Sequence, residues 1–337
     1  MTSHALLSAS GAERWMACTP SPRAEESVSE ESSEFAKEGT FAHGLAELKL
    51  SLHLGEIGKK EYNKRLKEQK TNEFYSEELE KYVDVYVDLA IEKINEARAR
   101  TKDALILLEE RLDYSPWVKE GFGTGDLVLI SDDVLEIVDL KFGKGIKVEA
   151  QDNSQMKLYS LGAINDFGFL YDIKTIKMTI CQPRLDHVST DELVADDLLN
   201  WADNIVRPLA DLAYEGKGEF KSGDHCRFCR IRYTCRQRAE DNLKIACLDF
   251  RPAPTLTDDK IVEVLTSIDE LIKWAKDVEE YAFKEAANNG KQWPGFKLVE
   301  GRRTRRYSSE EKVAKVLLDA GYEEEKIFSK SLLSLTK

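Results

Sequence analysis

Asp126 and Asp139 stand thirteen residues apart in the motif pair Gly125-Asp126 and Asp139-Leu140-Lys141. They lie in two β-prone runs, 126–130 and 134–141, around the polar turn Ser131-Asp132-Asp133, which is the pattern of a β-hairpin. With a two-residue loop at Asp132-Asp133, Ser131 pairs with Val134 and Asp126 falls directly opposite Asp139. Directly opposed residues share a sheet face, with Cβ atoms about 4.5–5.5 Å apart, and Lys141, two residues on, shares it too. Val128, Ile130, Leu135 and Ile137 complete this face. Leu127, Leu129, Val138 and Leu140 form the other, interrupted by Glu136. The sheet is therefore expected to be buried on both faces, with two carboxylates and one amine at one end. A buried pair of like charges is costly unless a cation neutralises it. Mg²⁺ or Mn²⁺ suits carboxylates, waters and phosphate oxygens. The lysine would then steady or deprotonate an activated water and offset charge on a phosphorane-like transition state. A one-residue slip would send Asp126 to the other face. On spacing alone, Asp126 also reads as a strand cap and Asp139–Lys141 as a plain ion pair.

Three further groups have chemically suggestive spacing. His43 and Glu47 are four apart, so they project from one helix face, and so do Gln155 and Tyr159. Taken singly, His43 also suits an ordinary helix-end histidine, and Gln155 with Tyr159 a polar helix edge. Cys226, Cys229 and Cys235 follow a C-x₂-C-x₅-C spacing. Three thiols so close are not routine core cysteines; they point to a metal. Cys18 is the candidate fourth ligand for an iron–sulfur cluster, since such clusters usually take four thiolates. Zinc is the rival, completed by Cys18 or His225. Cys181 and Cys247 fall outside the pattern and read as small buried apolar residues.

These residues together resemble the PD-(D/E)XK nuclease superfamily, with Asp139 in the place often taken by Glu. The RecB-like branch matches in order. Gly39-Thr40-Phe41-Ala42-His43 resembles its upstream Gly-x-x-x-His motif, Gln155-Met-Lys-Leu-Tyr159 its downstream Gln-x-x-x-Tyr helix. The cysteines resemble its iron–sulfur members, with one Cys before the His motif and three after the Gln motif, as in the CRISPR-associated RecB-like exonucleases and the AddB type. Within that branch the chain is similar to phage-encoded nucleases. The resemblance spans residues 1–250. It implies a restriction-endonuclease-like α/β fold, a mixed sheet flanked by helices. His43, Asp126 and Asp139 would hold Mg²⁺ or Mn²⁺, Lys141 would assist the nucleophile, and Glu47 would orient a metal-bound water. Gln155 and Tyr159 would contact that water or the DNA backbone. A [4Fe-4S] cluster on Cys18, Cys226, Cys229 and Cys235 would staple the N-terminal cap to the end of the domain, a structural role.

Elements to position these groups are legible along the chain. Residues 1–20 read as a short ordered cap and 24–34 as a loop or helix start. Helices are expected over 41–52 and 76–100, with a charged connection at 55–75 between them. A strand run at 104–108 precedes the hairpin. A helix about 151–165, a strand about 174–182 and a helix over 190–215 follow. Beyond Arg251-Pro-Ala-Pro254 the pattern is mainly helical: a strong segment over 257–288, a strand pair about Gly301 and a last helix near 308–320. We expect an α/β nuclease domain at 1–250 and a helical accessory region at 251–337. The ending Leu335-Thr336-Lys337 carries no stop signal, which leaves open a fragment of a longer chain.

Composition bounds the partners. The 337 residues are 42% hydrophobic and 33% charged, which excludes a wholly disordered chain. No run approaches ~18 apolar residues, so no membrane-spanning helix is expected, and no signal-peptide pattern opens the chain. The expected location is the cytoplasm, a bacterial host's if the chain is phage-encoded. A net charge of -13 argues against an all-over basic coat. Charge is nevertheless uneven: residues 25–34 hold five Glu and no base, residues 227–238 five Arg and no acid, and 302–306 read Arg-Arg-Thr-Arg-Arg. The arginines beside Phe228 and Tyr233 suit phosphates and unstacked bases, or pair with the acidic 25–34 stretch. The leading expectation is a DNA exonuclease acting on single strands or duplex ends. A recombination or single-strand-binding protein, or a second copy of the chain, is a candidate partner. The alternative is a catalytically inactive iron–sulfur scaffold for DNA binding or recombination on the same fold. A small-molecule metalloenzyme is disfavoured by the lack of a second His-rich ligand set.

Overall fold

The computed structural model describes residues 5–28, 33–247, 258–299 and 309–328. The chain divides into two compact units, 1–278 and 279–337. The expected boundary at 250 lies outside the described residues, and the division falls later, inside a long helix. The first unit begins with two short helices, α1 (Ala12–Ala17) and α2 (Ser21–Glu25), followed by α3 (Glu34–Leu54), α4 (Lys59–Gln69) and α5 (Glu77–Arg100). Strands β1 (Leu105–Asp113), β2 (Phe122–Ser131) and β3 (Val134–Leu140) come next, then α6 (Ser154–Phe167), β4 (Thr175–Gln182) and β5 (His187–Val194). Helices α7 (Ala195–Trp201), α8 (Arg207–Glu215) and α9 (Arg236–Cys247) follow, and α10 (Asp258–Asn289) runs into the second unit. That unit also holds α11 (Glu310–Asp319) and α12 (Glu324–Ile327), so its described part is helical. No helix among the described residues is long and apolar enough to cross a membrane.

Local chemistry sets the helix ends. The Ser33 hydroxyl accepts from Ala36 N–H to cap α3, and Gly55, with φ 78°, closes it in the left-handed conformation. Ser76 caps α5, whose first turn carries Glu77, Glu78 and Glu80 and whose last carries Arg98 and Arg100, matching the helix dipole. Asn153 caps α6 by accepting from Met156 N–H.

The five strands form one mixed sheet in the order β1-β2-β3-β4-β5. All neighbours are antiparallel except β3 and β4, which run parallel because α6 carries the chain back between them. The hairpin register is the one expected, with Ser131 opposite Val134 and Leu127 opposite Val138. Both faces are buried. Val128, Ile130, Leu135 and Ile137 join one core with Met156 and Leu161 of α6 and Trp15 of α1. Leu127, Leu129, Val138 and Leu140 join the other with Ala42 and Leu45 of α3 and Val83, Tyr86, Ala90 and Ile94 of α5. Glu136, the one acid in that second face of β3, is 1% exposed. It is neutralised by Lys93 and Arg100 of α5 at 3.5 and 3.4 Å.

The helix expected around 190–215 is present over 195–215, and only its start is corrected, by β5. This edge strand alternates half-buried and exposed positions and carries Asp191 and Glu192, so it has too few apolar residues to announce itself. The expected strand pair about Gly301 lies outside the described residues.

Glycines let α6 approach the sheet. A Cβ on Gly162 would sit 2.7 Å from Leu112 Cβ and 3.0 Å from its carbonyl carbon, and backbone cannot yield as a side-chain tip can. Gly39, in the middle of α3, has nothing within 4 Å of its would-be Cβ. Gly162→Val should therefore lower the unfolding free energy by roughly 1–3 kcal/mol, and Gly39→Ala should raise it by roughly 0.5–1 kcal/mol. Urea unfolding of the two variants checks both signs.

Candidate metal centre

The pairing of β2 with β3 stops at Leu127–Val138, whereas β2 continues against β1 as far as Phe122 and β3 continues against β4 as far as Leu140. The two central strands thus part at a fork, and Asp126 and Asp139 are the first residues past it. Instead of a ladder partner, the amide of Leu140 donates to Asp126 Oδ2 at 2.6 Å. A third carboxylate joins them. Glu109 of β1 lies between the pairs Leu108–Leu127 and Glu110–Gly125, which places it level with Asp126. It adopts φ 47°, unlike its neighbours in the strand; Glu120, Asp132, Asp152 and Asp186, which share positive φ, lie outside the strands. A non-glycine residue in this region costs about 1–3 kcal/mol and is typical of functional sites. Here the distortion accompanies an approach of Glu109 Oε1 to 3.8 Å from His43 Nδ1.

His43 comes from α3. Its Nδ1 lies 3.2 Å from Asp126 Oδ1. The ligand atoms of His43, Glu109 and Asp126 all fall within 4.8 Å of one another. Burial works against a charged imidazole, but Asp126, then Glu109 and Asp139, outweigh it and raise the His43 pKa to about 10. On the other side of the fork, Asp139 is 2% exposed. Burial raises its pKa, Lys141 opposes that and Asp126 adds to it. Asp139 Oδ2 lies 2.8 Å from Lys141 Nζ, yet the approach is not aligned for a hydrogen bond and the oxygen has no other partner. The ammonium of Lys141 instead donates to Gln155 Oε1 at 2.9 Å, and Gln155 Nε2 donates to Tyr159 OH at 3.0 Å. Tyr159 lies close over β2 because Gly123 has no side chain: a Cβ there would sit 2.6 Å from the ring.

Every expected residue of this cluster except Glu47 is therefore in one connected set. Glu47 stands one turn beyond His43 on α3 and outside the three-residue ligand group; its pKa is raised by partial burial and by the charge of Glu109. Sequence reading does not reach Glu109, because the apolar run that marks the strand ends at Leu108 whereas β1 continues to Asp113. Extending the hairpin register across β1 would have found it. The set fits a hard divalent cation. Three carboxylates face His43 and Lys141, the Asp139 oxygen lacks an aligned donor, and the buried Tyr86 hydroxyl, which feels the charges of Asp126, Asp139 and Glu109, has no partner either. With a divalent ion and Lys141 against three carboxylates, the charges balance when His43 is neutral.

The cysteines present a different picture. Cys18, Cys226 and Cys229 are buried and Cys235 half-buried, all as free thiols. Among the described residues, no cysteine belongs to a group of three metal-ligating side chains as tight as that of His43, so the thiols are not gathered as around a single tetrahedral zinc. The N-terminal cap does dock on the cysteine segment. Arg14 Nη1 donates to the Phe228 carbonyl at 3.1 Å across 214 residues of chain, Glu25 accepts from Arg230 N–H at 2.6 Å, and Cys18 lies close enough to His225 to raise its pKa. The arginines are largely engaged. Arg238 is 2% exposed and bound by Glu270 and Asp277 of α10 at 2.7 and 2.6 Å, and Arg232 faces Asp277 at 3.7 Å. Arg230 turns to the carbonyl of Val28. Toward the 25–34 stretch, Arg230 offers its amide to Glu25 and its guanidinium to the Val28 carbonyl, whereas the acids that pair with Arg232 and Arg238 come from α10. Cys181 sits in the core, where burial raises its pKa to about 11. The side chain of Cys247 and the 302–306 cluster lie outside the described residues.

A two-faced α/β sheet with a histidine–carboxylate group at a strand fork defines the architecture. The chain belongs to the DUF2800 family, described as a protein of unknown function, whose sequence model matches residues 4–337. A solved structure described as SSO0001 is similar over 65% of this chain and 95% of its own, at 13% identity and a TM-score of 0.24.

A cation here needs the neutral imidazole of His43, which in the metal-free protein keeps its proton up to about pH 10. Mn²⁺ binding at pH 7–8 should therefore expel about one proton, and affinity should rise with pH across that range. Titration calorimetry in buffers of different ionisation enthalpy measures the proton count; in His43→Ala the released proton should vanish.

Proposed function

We propose that this chain is a divalent-cation-dependent DNA nuclease of the PD-(D/E)XK, RecB-like kind. The observation that carries the reading is the convergence of Glu109, Asp126, Asp139, His43 and Lys141 at the end of the β2–β3 pairing. The resemblance of the ordered motifs supplies the substrate class and the exonuclease expectation, with Mg²⁺ or Mn²⁺ as the ion. Held by His43, Asp126, Asp139 and Glu109, the ion would supply Lewis acidity toward a phosphodiester oxygen and toward an attacking water.

The protein groups have separable tasks. Asp126, anchored by the Leu140 amide, and Asp139, held beside Lys141, keep two oxygens at a fixed gap. Lys141 presents an ammonium to the negative charge that grows on the phosphorus oxygens, and Gln155 with Tyr159 fixes its direction, so little reorganisation is needed during reaction. Glu47, with its raised pKa, is placed to accept or return a proton near Glu109. The segment after Lys141 carries Gly143 and Gly145 with open space around them and Lys144 between them, which leaves room for a strand to approach.

The thiols Cys18, Cys226, Cys229 and Cys235 would hold an iron–sulfur cluster that fixes the cap against the cysteine segment. The docking of Arg14 and Glu25 on that segment supports this, because it already brings Cys18 to the residue beside Cys226. Four separated thiolates fit a cluster, whose sulfurs bind different iron atoms, better than one zinc ion. Its place is structural, in a protein that works in the cytoplasm.

End-labelled single strands and duplexes incubated with Mn²⁺, with and without chelator, test the activity. Asp139→Ala and Lys141→Ala should each slow cutting by about 10²–10³-fold with unchanged circular dichroism. Retained DNA binding without cutting in any metal would establish the inactive scaffold instead. Anaerobic purification should yield iron and sulfide in a near 1:1 ratio with visible absorbance, and Cys18→Ser should lose both the colour and thermal stability. Stoichiometric zinc in their place would discard the cluster.

A further inference from the structure

Helix α4 was expected only as part of a charged connection. Its residues Lys59, Lys60, Lys64, Arg65 and Lys67 stand against Glu61 and Glu68, a cationic excess in a chain whose net charge is -13. Helical spacing sorts these charges. Tyr62, Arg65 and Gln69 share one side, which rests on α3: Gln69 Nε2 donates to the carbonyl of Gly44 at 3.3 Å, and Arg65 lies near enough to Glu47 to oppose the rise in its pKa. Gly44 is the residue after His43, and Glu47 is one turn on, so α4 lies directly beside the metal centre. Lys60, Lys64 and Lys67 recur at i, i+4 and i+7 and form a stripe on the opposite side. All three are exposed, and none makes an ion pair with any described residue. Glu61 and Glu68 form their own row on the flank. Elsewhere most cations near the site are engaged: Lys49 with Glu80 and Asp84, Lys70 with Glu80, Arg184 with Glu38.

We propose that the Lys60–Lys64–Lys67 stripe of α4 is the docking surface for single-stranded DNA on its way to the metal centre. The partner class rests on the nuclease reading; the single strand rests on charge geometry. Seven residues of helix span about 10.5 Å, a single row of cations. A duplex places phosphates on both sides of a groove roughly 6–12 Å wide and would press a second charged strand against an acidic protein. A flexible single strand meets the stripe alone. One helix diameter, about 10 Å, lies between the stripe and α3, the helix that carries His43.

The test uses the full chain in EDTA, where cutting is suppressed, with a fluorescein-labelled 20-nucleotide single strand and the matching duplex. Fluorescence anisotropy is followed from 50 to 200 mM NaCl. The triple variant Lys60→Gln/Lys64→Gln/Lys67→Gln should bind the single strand at least about 10-fold more weakly at 50 mM. Its log K against log salt slope should be shallower by about 2, at about 0.7 per lost phosphate contact. Mn²⁺ affinity and thermal midpoint should match the wild type. Glu61→Lys/Glu68→Lys, which widens the stripe without removing anything, should steepen the slope. Wild-type affinity and slope in both variants would overturn the proposal while leaving the nuclease reading intact. Tighter binding of the duplex than of the single strand by the wild type, lost in the triple variant, would overturn the choice of single strand. Loss of binding only to vesicles of phosphatidylcholine with phosphatidylglycerol would assign the stripe to a lipid surface and overturn it. A wild type that binds no DNA sinks both readings; one that binds the single strand through the stripe but never cuts sinks the nuclease alone.

Discussion

Carboxylates placed side by side on adjacent strands repel one another, and here three of them, Glu109, Asp126 and Asp139, stand level across β1, β2 and β3, with Asp139 buried and Glu109 half-buried. Nothing in strand pairing favours that row. It persists because the rest of the unit surrounds it with positive charge and hydrogen-bond donors: His43 from the α3 side, Lys141 at the end of β3, and the Leu140 amide against Asp126. The Asp139 oxygen nearest Lys141 and the buried Tyr86 hydroxyl are left without an aligned hydrogen-bond partner.

The two cores hold the row in place from opposite sides. Helices α3 and α5 cover one face and bring the imidazole. Helix α6 covers the other and brings Gln155 and Tyr159, at a depth that Gly123 and Gly162 permit. The imidazole and the groups that orient Lys141 therefore belong to different packing layers, with the strands between them. Glu136 shows the contrast with a structural charge. It is as buried as Asp139, but Lys93, Arg100 and Thr179 surround it, and it lies within the paired part of the sheet.

What could be read from residues alone followed the strength of the local rules. The hairpin register was legible because a two-residue turn and strict alternation admit few solutions, and it carried the Asp126–Asp139 opposition with it. The i, i+4 pairs on α3 and α6 were legible for the same reason. Glu109 was hidden by a backbone conformation that no propensity predicts, and β5 by its exposed face. α4 was hidden because its apolar positions are few; Leu66 packs against the core beneath it and Gln69 bonds to α3. The arginine run at 227–238 looked like a nucleic-acid surface from composition, but the partners that engage Arg232 and Arg238 come from α10, too distant in sequence for spacing to reveal.

Asp126 has two attachments: one oxygen faces His43 and the other takes the Leu140 amide that a strand carbonyl would otherwise receive. The residue is thus a wedge between the strands as well as a partner of His43. An amide in its place would keep the strands apart and weaken only the charge, whereas a small apolar residue would free the amide and invite the ladder to zip one rung further, sealing the cleft. Loss of a single side chain there would reshape the sheet's own hydrogen bonding, so the aperture for any incoming molecule is tied to the identity of one acid.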